Sequence, residues 1–274
     1  MGELLALTSA LCFGVTHFAN GLLSRARPGM TVSFHAQLGG TAVAVPAAFL
    51  AGGTGGGLGY GLLSGIGTGV GVAFLYRAIG RGAMSVVVPI SDLGAVAIPV
   101  LAGVVLLGER FSLIAGAGVV CALAAVWLVS RTGRAERKPP PGFVDAVIAG
   151  IGFAVQFLAM ARVPADAGLW PIAASRVSSV VVIAVLLLGT RQPLRIPPRP
   201  AVSAGAAGVL GSIALLLYWY ATQQQLVSMA TVLSALYPAI PVVLAMLFLG
   251  ERVNRTQTAG LLGAVAAIVL ITLG

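Results

Sequence analysis

Ile98-Pro99, followed by Leu107-Gly108-Glu109-Arg110, is the stretch that decides the fold, because the chain contains it twice. The second copy is Ile240-Pro241, followed by Leu249-Gly250-Glu251-Arg252. Pro241 lies as far beyond Pro99 as Glu251 lies beyond Glu109 (241 − 99 = 251 − 109 = 142). An apolar segment closing in Leu-Gly-Glu-Arg has been duplicated. Its meaning turns on how often the chain crosses a membrane between the copies. An odd number turns one copy upside down, and inverted repeats are the architecture of alternating-access carriers.

Composition supplies the membrane. Of the 274 residues, 58% are hydrophobic and only 8% charged, with a mean hydropathy of +1.03. A soluble domain carries roughly 25% charged residues. Lipid permits spanning helices or a closed barrel. The apolar runs here are continuous and about 20 residues long, as helices require. Nearly the whole chain is used in crossing, which leaves no room for a soluble catalytic domain.

Apolar runs read against breakers give ten spans. The first five are 4–23, 30–51, 58–80, 84–107 and 112–130. The second five are 143–161, 169–189, 201–222, 226–249 and 256–273. The Arg/Pro-rich segment 132–142 separates a first unit, 1–131, from a second, 143–274. Five crossings separate span four from span nine, so the fold expected is all-α: ten transmembrane helices as 5+5 inverted-topology repeats. Weaker parallels follow the same order. Phe13-Gly14-Val15 matches Phe153-Ala154-Val155, and Tyr76-Arg77-Ala78 matches Trp219-Tyr220-Ala221.

The net charge of +9 is carried in short loops and sets orientation; it forms no nucleic-acid-like cluster. One set of loops holds Arg25, Arg27, Arg81, Arg191, Arg195, Arg199, Arg252, Arg255 and the basic residues of the 131–142 linker, with Arg77 close by. The opposite set holds Arg110 and Arg162. The positive-inside rule puts the first set, linker included, in the cytoplasm of an inner or plasma membrane, with both termini outward. Glu3 stands where a signal peptide would carry positive charge, so the first apolar run reads as a span rather than a leader. Cys12 and Cys121 lie within apolar runs, which argues against a disulfide or metal role. No P-loop, metal-ligand cluster or nucleophile–base set occurs, so neither cofactor, metal nor enzymatic chemistry is expected.

With ten helices in two halves, each closing in Pro-x7-Leu-Gly-Glu-Arg, the chain resembles the EamA-type branch of the drug/metabolite transporter superfamily. Ser234-Ala235-Leu236-Tyr237-Pro238 and Phe248-Leu249-Gly250-Glu251-Arg252 carry the match in the second half; Pro89, Pro99 and Leu107-Gly108-Glu109-Arg110 carry it in the first. Arg176 stands where such proteins often have an arginine in the second helix of a repeat, and its first-half equivalent is Gln37. The resemblance covers the whole chain and implies a secondary transporter, typically an exporter of amino acids, metabolites or drugs, with a cavity between the halves. It also implies cytoplasmic termini; the charge distribution argues the reverse, and the charges are followed here.

Ionisable groups deep in a bilayer cost at least ~2.5–3.5 kcal/mol on insertion scales. Asp92 is the foremost: Ser85, Pro89, Asp92, Val96 and Pro99 share a helical face. It reads as a proton carrier or a counter-ion for a substrate amine, against a structural ion pair. Arg176 reads as a site for a substrate carboxylate, against pairing with Asp92 or capping carbonyls. The two opposite charges together suit a zwitterion, hence amino-acid-like cargo. His17 and His35 are relay candidates or packing residues. Thr16, Asn20 and Gln156 are cavity candidates, as are Tyr237 on the proline face of span nine and Trp219 in span eight, with interface anchoring the rival for Trp219.

Ser234 aligns with Asp92, so one half carries a hydroxyl where the other has an acid. Pro89, Pro99, Pro238 and Pro241 are the hinge candidates. Glu109 and Glu251 each stand before a helix and are expected to cap it. Gly61, Gly65, Gly67, Gly69 and Gly71 in span three, and Gly205, Gly208 and Gly211 in span eight, are expected to allow close helix contact. The expectation is a monomer-sufficient carrier in contact with membrane lipid, moving a small molecule by alternating access with protons as coupling ion. A lipid-linked carrier flippase of the same fold, and a non-transport intramembrane enzyme or assembly subunit, are the alternatives.

Overall fold

The structure is a computed structural model that describes residues 1–81, 84–106, 108–110, 112–129, 141–237, 239–240, 244 and 255–273. Pro238, Pro241, Glu251 and the linker 132–140 lie outside the described residues, so the hinge and cap expectations there have no counterpart below. Helix α1 spans Gly2–Ala26, α2 Gly29–Ala51, α3 Leu58–Ile79, α4 Met84–Leu106 and α5 Leu113–Val129. Then come α6 Phe143–Met160, a single 3-10 turn at Ala165–Ala167, α7 Trp170–Gly189, α8 Pro198–Thr222, α9 Val227–Ser234 and α10 Arg255–Leu273. No strand occurs among the described residues. Helices α1, α2, α3, α6, α7 and α8 are each long and apolar enough to cross a bilayer, and shorter apolar segments lie in α4, α5 and α10.

Local sequence sets the helix ends. Pro28 separates α1 from α2, and prolines occupy the first turns of α7 and α8, where a missing N–H costs nothing. Gly52 closes α2 with φ 67°, a conformation that a side chain would strain, and its N–H reaches the Ala48 carbonyl.

The structure departs from expectation in span nine. A continuous helix over 226–249 is expected, yet α9 ends at Ser234 and residues 235–237 form turns. The Pro238 ring disfavours helical geometry at the residue before it and conflicts with the carbonyl four residues back. Helix α4, by contrast, runs unbroken through Pro89 and Pro99. Tyr237 therefore sits at a break in one helix, opposite a continuous one.

The helices interleave. α3 packs on α6 and α7, while α8 packs on α1 and α2. α4 meets α6, and α9 meets α1; α2 pairs with α7, and α5 with α10. This scheme is unchanged when each helix is exchanged for the one five places on. Glycines allow the tightest crossings. A Cβ on Gly61 or Gly65 of α3 would strike the carbonyls of Pro171 or Ser175 on α7. A Cβ on Gly39 of α2 would strike the Gly205 carbonyl on α8, and one on Gly208 the Ala36 carbonyl. Without apolar contrast between helix and lipid, such close backbone approach is what van der Waals packing requires.

Both ends of the bundle carry carboxylate ties. Asp145, in the first turn of α6, is buried and accepts from Arg77 Nε at 3.0 Å and Arg81 Nη1 at 3.1 Å, which binds the end of α3 to the start of α6. At the other end, Glu109 accepts the amide of Val227 at 2.7 Å and that of Ser228 at 3.2 Å, and also the Ser228 hydroxyl. The helix it caps is α9, not the α5 that follows it in sequence, because the α9 N-terminus presents its free amides to the α4–α5 turn. Glu109→Ala is expected to lower stability by about 1–2 kcal/mol, the usual range for a lost cap. Glu109→Gln, which keeps an acceptor, should lose less. Thermal unfolding in detergent measures both; an unchanged midpoint for the alanine variant would refute the cap.

Candidate functional site

The interleaved helices line a polar pocket in the middle of the bundle. α1 supplies Phe13, Thr16, His17 and Asn20 from a single face, at spacings of three and four residues. α3 supplies Thr68, Val72 and Tyr76 by the same rule, and α6 Phe153, Gln156 and Phe157. Ala36 and Gln37 of α2, Arg176 of α7, the bare backbone of Gly208 and Gly211 in α8, and Tyr237 complete the wall. The cavity volume is about 30 Å³, room for a water or two and far below the roughly 300 Å³ of a small-molecule site.

The polar groups form three clusters. In the first, Arg176 donates from Nη1 to Gln37 Oε1 at 2.9 Å, and the Ser179 hydroxyl donates to the same oxygen at 3.0 Å. Gln37 and Arg176, equivalent positions of the two halves, are thus bonded to each other. Nε and Nη2 of Arg176 are buried with no hydrogen-bond partner among the described residues. In the second, the Thr68 hydroxyl donates to Gln156 Oε1 at 2.6 Å, while the Thr16 hydroxyl reaches the Ala207 carbonyl at 3.0 Å.

The third cluster is aromatic and acidic. His17 Nδ1 lies 3.1 Å from the Tyr76 hydroxyl, and its ring stacks on Tyr237 at 4.9 Å. The Tyr237 hydroxyl donates to Asp92 Oδ1, while Asp92 Oδ2 has no partner among the described residues. Asp92 is fully buried but does not line the cavity; Tyr237 stands between them. Asn20, also fully buried, sits beside the Tyr76 hydroxyl, and its amide oxygen accepts from no described residue.

Of the residues singled out in the sequence, Thr16, His17, Asn20, Gln156, Arg176 and Tyr237 converge on the cavity. Asp92 joins them only through Tyr237, and no ion pair links it to Arg176. Three others lie elsewhere. Trp219 donates its Nε1–H to the Val163 carbonyl at 3.1 Å near the end of α8, and Ser234 bonds to the Ala6 carbonyl at 3.3 Å. His35 bonds back to the Thr31 carbonyl at 3.0 Å within α2. Thr68, Tyr76, Phe153 and Phe157 were not singled out as site residues. The Thr68-Val72-Tyr76 spacing of four was their signal, overshadowed by the glycines of the same helix.

Two halves feeding one buried polar cavity raise the question of ancestry, which a sequence comparison decides. The model of the EamA-like transporter family matches residues 1–131 and again 141–273. The chain belongs to that family. An EamA-like chain is a multi-pass membrane protein of the drug/metabolite transporter type, and members of the family are transporters rather than enzymes. Among solved structures, one described as "Crystal structure of protein" is similar with a TM-score of 0.77 at 21% identity, over 99% of this chain and 96% of the other. At that identity the likeness speaks for the fold alone. No curated protein matches the chain.

Proposed function

We propose that this chain is a secondary active transporter that exports small metabolites, amino-acid-like or amphipathic, by alternating access, with protons as the coupling ion. In this reading ten spans form two five-helix units, 1–131 and 143–274, of opposite orientation, joined by the linker 132–142. A monomer suffices. The carrying observation is the small polar cavity, lined by α1, α2 and α3 of one half and by α6, α7, α8 and Tyr237 of the other. Exchange of each helix with its counterpart preserves the packing scheme, as two interconvertible access states related by a pseudo-two-fold axis require. The cavity's small volume supports a cycle in which the halves separate to admit cargo.

Proteoliposome counterflow with a panel of amino acids and organic acids, run with and without an imposed pH gradient, tests this reading. Accumulation of at least one panel compound, stimulated by the gradient, is the expected result. Absence of exchange for every compound would overturn it.

Orientation belongs to the same proposal. The arginine-rich helix ends and the linker face the cytoplasm of the inner or plasma membrane, and both termini face outward. A C-terminal reporter that is active only in the cytoplasm is expected to stay silent; a strong signal would reverse the assignment.

A further inference from the structure

We infer that the cavity binds its cargo by a carboxylate, held side-on by Nε and Nη2 of Arg176, and makes no provision for a cargo ammonium group. The inference rests on the transport reading of the cavity and names the chemistry that reading leaves open. Arg176 is almost wholly buried, and its guanidinium is fixed rather than free to search. Nη1 is held by Gln37 Oε1, and Gln37 is held in turn by the Ser179 hydroxyl. What remains is the Nε–Nη2 edge, whose two N–H groups have no partner among the described residues. That edge presents two parallel donors, the pattern that matches the two oxygens of a carboxylate. A buried cation lacking a counter-ion is costly, and a bound anion removes the cost.

A positive group would meet no opposite charge on the cavity wall. None of the described lining residues is acidic. Of the seven carboxylates in the sequence, Glu3 and Asp145 lie in first helical turns, and Glu109 and Asp166 lie in connections. Glu136 belongs to the linker and Glu251 to the second Leu-Gly-Glu-Arg. Asp92 alone falls deep in a span, and it stands behind Tyr237, whose single hydroxyl proton it already accepts. Of the two charged ends of an amino-acid-like cargo, the site therefore provides for one. Asn20, whose amide oxygen accepts from no described residue, suits a neutral hydrogen-bond donor on the cargo such as a hydroxyl. The rings of Phe13, Phe153 and Phe157 wall the apolar remainder.

The test uses the purified full chain in detergent and five probes of one carbon skeleton: isocaproate, leucic acid, leucine, isocaproamide and isoamylamine. Calorimetric titration is expected to show both hydroxy-acid and simple-acid probes binding, with leucine no tighter than leucic acid. The amide and the amine should bind about tenfold more weakly or worse. Equal binding of the amide or the amine, leucine binding about tenfold more tightly than leucic acid, or binding of none of the five would overturn the inference. Arg176→Lys keeps the charge but loses the fork, and is expected to weaken the acids by about tenfold while leaving the amide unchanged. Should that variant fail to fold, the ranking on the native chain still decides. Failure of the transport reading has a separate signature: probes that bind but show no counterflow in proteoliposomes.

Discussion

Asp92→Asn is expected to abolish proton-driven accumulation in proteoliposomes while leaving counterflow close to that of the native protein. The substitution keeps the side chain's volume and an oxygen able to accept from Tyr237, so the bond behind the cavity wall can persist. What it removes is the capacity to take up and release a proton. An exchanger needs only the binding site and the conformational change; an uphill carrier also needs a group whose protonation is tied to the access state. Asp92 is built for that tie. It is fully buried, one carboxylate oxygen is uncommitted among the described residues, and its other oxygen is bonded to a residue that lines the cavity. The measurement is accumulation against pH gradient in parallel with counterflow at zero gradient. An asparagine variant that accumulates cargo with unchanged pH dependence would remove Asp92 from the coupling.

Tyr237 explains why such a carboxylate can act without touching cargo. It occupies the turns that follow α9, where the helix has already given up its regular hydrogen bonding. A side chain at such a break can swing with modest rearrangement, because fewer backbone bonds hold it. Its ring stacks on His17 in the cavity while its hydroxyl reaches Asp92 in α4. Rotation of Tyr237 would at once break its bond to Asp92 and disturb the aromatic wall, so protonation and access are joined at one residue. The repeat alignment set Asp92 opposite Ser234; the structure gives the acid its partner three residues further on.

The sequence made the architecture readable because backbone constraints leave strong marks. Proline, glycine and the Leu-Gly-Glu-Arg ends fix register whatever surrounds them, and the family match over both halves agrees with the duplication they imply. Contacts between distant helices leave no such mark. Glu109 was recognisable as a cap, but its target begins 118 residues later, so the neighbouring helix was the natural guess. Gln37 and Arg176 could be paired as equivalents, yet only the packing of α2 on α7 reveals that they meet. Trp219 looked like cavity wall by residue type alone; its indole proton is consumed by the Val163 carbonyl. Asp145 carries no signal in the sequence, because its arginine partners, on α3 and just after it, stand more than sixty positions earlier. Proline was only half legible: Pro238 follows a helix break, while Pro89 and Pro99 sit in a continuous helix.

Gly208→Val is expected to destabilise the fold by about 1–3 kcal/mol, the range for overpacking a filled interior. A Cβ at this position would collide with the Ala36 carbonyl and approach the Ala36 Cα to 2.9 Å. The obstacle is helix backbone, not a flexible side chain, so α2 and α8 would have to move apart. Their separation would loosen the neighbouring Gly39–Gly205 contact, because the same two helices make both crossings. It would also reach the cavity, since Ala36 and Gln37 form one wall and Gly208 part of another. Moving Gln37 releases Nη1 of Arg176, so damage to packing and loss of the fixed guanidinium have one origin. Gly116→Ala in α5 is the control: nothing lies within 4 Å of its added Cβ, and the better helix former should gain up to about 1 kcal/mol. Thermal midpoints in detergent compare the two. Equal midpoints for Gly208→Val and the native chain would mean that α2 and α8 tolerate greater separation, and that the bare backbone of Gly208 serves the cavity rather than the crossing.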